Sequence, residues 1–273
     1  MSRKPSVSKA KKIDDAVNEF KSVCHPLLST IRLDLKHKND TQKKLTQAIK
    51  VNDVTVCIGP AGTGKTLLSV FEALVLLKTS PEKYKEIKLV KSVTQLKNEE
   101  IGILPGDAME KLKFHMMSYL DAFYLLIGEG LTNKLIEAGL IKMEVFGTFR
   151  GRSLSNCIIL FDEFQNISHD NAKTFLTRFS DNTKVVVLGD SGQIDLKNKK
   201  ESSLELLIKR IKKSPINGVD VVEFTDAESV RHRLTSYFIN IFEEQPAEVK
   251  PVVVPKEKVK KLTFFQKIFK KNK

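Results

Sequence analysis

The chain has no tryptophan among its 273 residues, so an intrinsic tryptophan signal would have to come from a ligand or an engineered probe. Cysteine is scarce: residues 24, 57 and 157 make an odd set of three without C-x-x-C spacing. That excludes a zinc-knuckle pattern, and Cys57 and Cys157, lying in apolar runs, read as buried core thiols. The five histidines are scattered without metal-ligand spacing. No apolar run reaches membrane-spanning length, and the opening MSRKPSVSKAKK lacks the apolar stretch of a signal peptide. These absences lead us to expect a soluble cytoplasmic protein in a reducing compartment, without stable membrane insertion. No repeat of 20 to 50 residues is visible.

What is present is charge, and its placement matters more than its net value of +13. Residues 1–50 carry 12 Lys/Arg against 5 Asp/Glu, and residues 247–273 carry 9 against 2, so each end is +7. The stretch 51–246 holds 25 against 26 and is close to neutral. Basic ends point to a polyanionic partner, nucleic acid before membrane, or else to solvated lysine-rich tails that aid solubility.

The length fits one large domain with appendages or two small domains, and a hydrophobic content of 41% is enough for a packed core. Strand-like runs fall at 54–59, 87–91, 141–146, 157–161, 184–189 and 219–224. Helical patterns occupy 41–50, 65–78, 168–179, 201–212 and 228–243. The spacing of Met109, Leu112, Met116, Leu120 and Phe123 predicts one long helix from Gly106 to Ile127. The alternation predicts an α/β fold with a mostly parallel sheet covered by helices on both faces. The expected organisation is a basic, partly disordered segment over 1–39, a domain over 40–245, and a tail over 246–273. That tail opens with Pro246, Pro251 and Pro255 and ends in an amphipathic stretch carrying Leu262, Phe265, Ile268 and Phe269. The stretch docks a partner, lies on an anionic membrane surface, or packs back on its own domain.

GPAGTGKT at 59–66 satisfies G-x-x-x-x-G-K-[ST] between a strand and a helix. In this reading Gly59, Pro60, Ala61, Gly62, Thr63 and Gly64 form a loop whose N–H groups wrap a β-phosphate. Lys65 neutralises the β/γ oxygens, Thr66 offers its hydroxyl to Mg²⁺, and the helix N-terminus adds its dipole. A glycine-rich turn without a ligand is the alternative. CIILFDEFQN at 157–166 runs an apolar strand into Asp162 and Glu163, a costly burial unless something compensates it. Asp162 is placed to approach the Mg²⁺ shell and Glu163 to polarise the attacking water; simple capping of the next helix is the competing explanation. VVVLGDSGQID at 185–195 repeats the design with Asp190 and Gln193, where a polar group, Gln193 as the candidate, senses the γ-phosphate, or the stretch is simply a turn. Gln42, one short helix before the loop, has both the donor and the acceptor that an adenine edge requires, or is a surface helix residue.

Taken in order, TQKKLTQAIKVNDVTVCIGPAGTGKT, EEIGILPGDAMEKL, FRGRSLSNCIILFDEFQN, FLTRF, VVVLGDSGQIDL and SVRHRL resemble the motifs of the PhoH-like ATPases over roughly residues 40 to 240. ILPGD and RGRSL lie outside generic P-loop requirements and make the resemblance specific. It implies a single RecA-like P-loop NTPase domain related to the motor core of superfamily-one helicases. It further implies ATP and Mg²⁺ as ligands, RNA or single-stranded DNA as partner, and self-association, with a hexameric ring as one form. A phage member would act in the host cytoplasm. Three departures stand out: Lys91-Ser92 where the family has Arg-Pro, Phe164 where it has Ala, and His232-Arg233 where it has His-Pro. Nothing resembles the PIN nuclease domain that some relatives carry.

A core of this size leaves no room for a second RecA-like domain. An arginine finger must then come from a neighbouring subunit or from the last helix, with Arg231 the first candidate and Arg178 the second, each equally readable as a surface ion-pair residue. Arg150 and Arg152 either contact phosphates of a threaded strand or brace the ILPGD loop. Two other functions compete with a nucleic-acid-coupled ATPase. One is a P-loop kinase for a small acceptor, which lacks support from any arginine-rich lid. The other is a nucleotide-gated binding or scaffold protein with negligible turnover.

Overall fold

The computed structural model describes residues 25–92, 108–149, 151–196, 198–230 and 233–242. The chain divides into two units, residues 1–230 and 231–273. The family motif ILPGD and Arg150, residues 1–24 of the basic N-terminal segment and the amphipathic C-terminal stretch lie outside the described residues, as do Arg231 and His232; within 25–39, Leu28 and Ile31 are buried in the core.

In the first unit a short helix α1 (Pro26–Thr30) and α2 (Asp40–Val51) precede β1 (Val54–Ile58) and α3 (Lys65–Thr79). Then come β2 (Glu86–Lys91), α4 (Ala108–His115), α5 (Met117–Ile127), α6 (Glu129–Glu137) and β3 (Ile141–Val145). The unit closes with β4 (Cys157–Phe161), α7 (His169–Leu176), β5 (Thr183–Gly189), α8 (Ser203–Lys213) and β6 (Val219–Glu223). All six expected strands form, and they pair in parallel in the order β3-β2-β4-β5-β1-β6.

The strands read as continuous apolar runs because both faces are covered. On one face Cys57, Leu89, Leu160 and Leu188 pack with α1, α2, α3, α5 and α6. On the other, Val56, Val90, Phe161 and Val187 pack with α7, α8 and the turns around Phe146 and Phe164. Successive residues point to opposite sides, so one short strand feeds both cores.

The expected single helix over 106–127 is broken at Met116, whose backbone (φ −95°, ψ 8°) leaves the helical region. Its N–H donates to both Leu112 (3.1 Å) and Lys113 (3.0 Å), a tightened turn that redirects the chain. The apolar spacing survives the break because Leu112, Met116, Tyr119 and Phe123 all face the same core, so periodicity alone hides it. The helix expected from 228 instead begins at Arg233 as α9 (Arg233–Phe242) in the second unit. Glu228 accepts from the N–H (2.8 Å) and hydroxyl (3.0 Å) of Thr225, and this draws Asp226–Glu228 into a 3-10 turn. Among the described residues, no helix is long and apolar enough to cross a membrane.

Register sets the stage for the site. Ile58 pairs with Gly189 and Phe161 with Val187, so β1, β5 and β4 end at one edge of the sheet, with β5 between the other two. The loops leaving these strands meet outside their carboxyl ends, where parallel sheets form crevices.

Candidate nucleotide site

The loop after β1 turns into α3 through Gly64, which adopts φ +92° as the N-cap and makes no side-chain cap hydrogen bond. The first N–H groups of α3 therefore lack the usual side-chain acceptor, an arrangement that suits an anion. A Cβ on Gly64 would stand 3.2 Å from Nε2 of Gln42, a tight contact that adds to the demand of its left-handed backbone. Lys65 Nζ donates to the carbonyls of Gly59 (2.6 Å) and Pro60 (2.8 Å), which holds the amine over its own loop. Burial pulls Lys65 below the ordinary ammonium range, opposed by the fields of Cys57, Asp190, Asp162 and Glu163.

Gln42 is buried behind this loop. Its Oε1 accepts from Lys38 N–H (2.7 Å) and its Nε2 donates to the Thr63 carbonyl (2.9 Å). Each polar end thus makes one bond inside the protein, tying Gln42 to the loop, while Nε2 keeps a second N–H and Oε1 a second lone pair.

Asp162 and Glu163 follow β4 directly. Burial raises the Asp162 carboxyl above the usual carboxylate range, and Lys91, the Glu163 N–H and Lys65 oppose it. That N–H reaches Asp162 Oδ1 at 2.9 Å. Glu163 is raised by burial and by Asp162, and eased by Gln165 and Lys91. Its backbone is left-handed (φ 56°), a strained conformation for a residue with a side chain. Lys91 and Lys65 are the cations whose charges act on the acidic pair.

Phe164 points away from the site. It is fully buried and meets Phe161 edge-on, with ring centroids 5.0 Å apart. The departure at this position therefore fills the second core.

Gln165 is fully buried and joins the loops after β4 and β5. Nε2 donates to Glu163 Oε2 (2.5 Å) and to the Gln193 carbonyl (3.0 Å), while Oε1 accepts from Asp190 N–H (3.1 Å). The orientation of the amide is dictated by its partners, because a flip would set NH₂ against N–H and oxygen against two oxygens. Asn166 adds a second pair with Asp195, Nδ2 to Oδ2 at 3.1 Å and Asp195 N–H to Oδ1 at 2.8 Å. Ser92, at the end of β2, donates to the Asn166 carbonyl at 3.3 Å.

One cavity of about 280 Å³ gathers Gly62, Gly64, Lys65 and Thr66 with Asp162, Glu163, Asp190 and Gln193. Ala61 also lines it, whereas Gly59, Pro60 and Thr63 complete the loop without doing so. Ser118, near the start of α5, forms part of the wall, and no local motif marks it. The sequence likewise assigns no site role to Lys91, Gln165 or Asn166; the only available signal is the amide pair following an acidic pair. Arg178 is not brought to this cavity: it follows α7, and its carbonyl accepts from Leu154 N–H (2.9 Å) beside the start of β4. Arg152 pairs with Glu144 (3.2 Å), which also holds Lys88.

The donor set suits a magnesium nucleotide. An uncapped helix N-terminus and a lysine face the phosphate position, and Thr66 with Asp162 supplies the small number of hard oxygen ligands that Mg²⁺ takes from protein. Among the described residues no group of three or more His, Cys, Asp or Glu side chains could hold a metal on its own.

A parallel α/β sheet with a phosphate-type loop after one strand and an acidic pair two strands away defines a P-loop NTPase fold. The chain belongs to the PhoH-like family: the profile described as PhoH-like protein matches residues 34–243. It is 34% identical over 211 residues to the PhoH-like protein of Bacillus subtilis (strain 168), covering 77% of this chain and 65% of the relative. It is 34% identical over 216 residues to the PhoH-like protein of Mycobacterium bovis, covering 79% of this chain and 60% of the relative. The chain thus spans somewhat less than two-thirds of these relatives. Among solved structures it is similar to the large terminase of a thermophilic bacteriophage, with TM-score 0.45 and 12% identity over 76% of this chain and 50% of that one.

Proposed function

We propose that this chain is a Mg²⁺-dependent ATPase whose hydrolysis is coupled to RNA or single-stranded DNA. The observation that carries the hydrolytic part is the convergence of Lys65, Thr66, Asp162, Glu163 and Gln193 on one cavity. The loop amides and Lys65 bind the phosphates, and Thr66 Oγ1 with an Asp162 oxygen would hold Mg²⁺. The ion, when bound, neutralises β/γ charge and orients the phosphates for in-line attack. Glu163 Oε2 is occupied by Gln165, which leaves Oε1 as the atom that orients a water and draws its proton. Burial keeps that carboxyl more basic than an exposed glutamate.

Coupling to a nucleic acid is supported by family membership and by the basic terminal segments flanking a near-neutral core. Self-association in a ring, with Arg231 reaching the site of a neighbour, belongs to the same reading.

The test is phosphate release from ATP with and without single-stranded RNA or DNA, run beside Glu163→Gln. Stimulation by either polymer that Glu163→Gln abolishes is the expected result. Phosphoryl transfer to a small acceptor would replace the reading with a kinase. Tight MgATP binding without turnover under any condition would replace it with a nucleotide-gated scaffold.

A further inference from the structure

Three groups meet at the Gln165 side chain: the carboxylate of Glu163, the carbonyl of Gln193 and the N–H of Asp190. We propose that Gln165 is a positioning residue that makes the placement of Glu163 depend on the state of the loop carrying Gln193. The proposal rests on reading the site as one that hydrolyses ATP, and it adds a regulatory link inside that site.

The backbone of Glu163 is the starting point. A left-handed glutamate is not held by its own strand, because β4 ends at Phe161. Among the described residues, Gln165 Nε2 is the hydrogen-bond donor that holds the Glu163 carboxyl, at Oε2. The NH₂ group that performs this task also donates to Gln193, in the loop following β5. Shifting that loop therefore moves or frees the donor that aims Glu163. Gln193 and Asp190 line the same cavity as the phosphate loop, so anything that draws them toward a γ-phosphate is transmitted through one buried amide.

The surroundings make this link stiff. Gln165 has no exposed surface to swing into. A Cβ on Gly189 would lie 3.2 Å from Gln165 Oε1 and 2.5 Å from Leu204 Cδ2, so the amide is wedged between β5 and α8. A close-packed environment of this kind passes on small displacements instead of absorbing them. Asn166 carries the mechanical attachment of the loop separately, through its two bonds to Asp195. Loss of the Gln165 amide should then misplace Glu163 without releasing residues 190–195 from the fold.

The experiment compares the full chain with Gln165→Met, which keeps length and removes the amide, and with Gln165→Asn, which keeps an amide too short to span both loops. Steady-state phosphate release gives kcat and KM for MgATP. Hydrogen exchange of the 163–166 and 190–195 segments is followed with and without a non-hydrolysable ATP analogue. The expected result is a fall in kcat of about tenfold or more with KM within about twofold, as for a misaligned catalytic group. The analogue should protect both segments in the wild type, but only 190–195 in the variants. Wild-type kcat in either folded variant, or a parallel loss of binding and rate, would overturn the proposal and leave the ATPase reading standing. If the wild type binds MgATP yet releases no phosphate, hydrolysis fails as a reading, and the exchange comparison decides the link: identical protection in wild type and variants overturns it. A chain that binds no nucleotide would overturn both. Should Gln165→Met not fold, Gln165→Asn carries the same comparison.

Discussion

Gln42 Nε2 donates to the Thr63 carbonyl at 2.9 Å, so a residue on α2 holds the crown of a loop 21 positions further along the chain. The bond lies behind the loop, away from the cavity.

This geometry separates two roles for Gln42. A brace serves every nucleotide equally, whereas a base reader discriminates. Gln42→Ala leaves the Thr63 carbonyl without its partner and should weaken ATP and GTP binding by the same factor, about tenfold. Calorimetric titration of both nucleotides checks it; a selective loss of ATP would restore the base-reading role.

The acidic pair should cost stability while supporting catalysis. Both carboxyls have folded pKa values raised above their unfolded 3.8 and 4.5, chiefly by burial. The sign follows: their contribution to stability is present below the unfolded values and is lost as pH rises through the folded ones. Glu163→Gln should therefore raise the unfolding midpoint at neutral pH, with the gain vanishing below about pH 4. Phosphate release should fall about a hundredfold or more with MgATP binding retained. Thermal unfolding at two pH values, beside a turnover assay, measures both.

Lys91 opposes the rise in both carboxyls. Its removal in Lys91→Met lets burial act unopposed by that cation, so the acidic limb of the rate–pH profile should move to higher pH. A profile identical to wild type would show that Lys91 does not act on the pair.

Gly59 opens the loop packed against Phe224, which follows β6. A Cβ there would stand 2.5 Å from Phe224 Cβ and 2.9 Å from its carbonyl oxygen, at φ +152°. Backbone atoms cannot step aside as a flexible side chain would. Gly59→Ala is expected to cost about 3 kcal/mol from strain and overpacking together. Urea unfolding of the variant gives the value directly.

The buried thiols of Cys57 and Cys157 are each pushed up from 9.0 to about 12, mainly by burial. Their stabilising contribution is complete below pH 9 and is lost as pH rises toward 12. Across that window each thiol should make unfolding easier by about 1.4 kcal/mol per pH unit. The difference between wild type and Cys57→Ala in urea unfolding from about pH 8 to about pH 10.5 isolates one of them.

Much of the fold is legible because the strands are short apolar runs and β1 leads directly into a glycine-bearing phosphate motif. Their neighbours are not. β1 touches β5 and β6, which lie more than a hundred residues away in the chain, and no local pattern specifies such pairing. The pattern over 106–127 misleads because its apolar face continues across the break at Met116. Lys65, Thr66 and Asp162 are readable since their residue types and spacing carry the chemistry. Gln165 is not, since an amide between loops has meaning only once the register sets Asp190 and Gln193 beside it.

The sequence alone determined the phosphate loop, the acidic pair and the alternation of strands and helices, because each is a local arrangement of residue types with its own physical requirement. Tertiary structure decided that Gln42 bonds to the Thr63 carbonyl and Gln165 to groups of two loops, that Phe164 belongs to the core, and that the charge of Lys91 acts on the acids. These roles depend on which strands lie side by side, a non-local choice set by burying two apolar faces of one sheet at once.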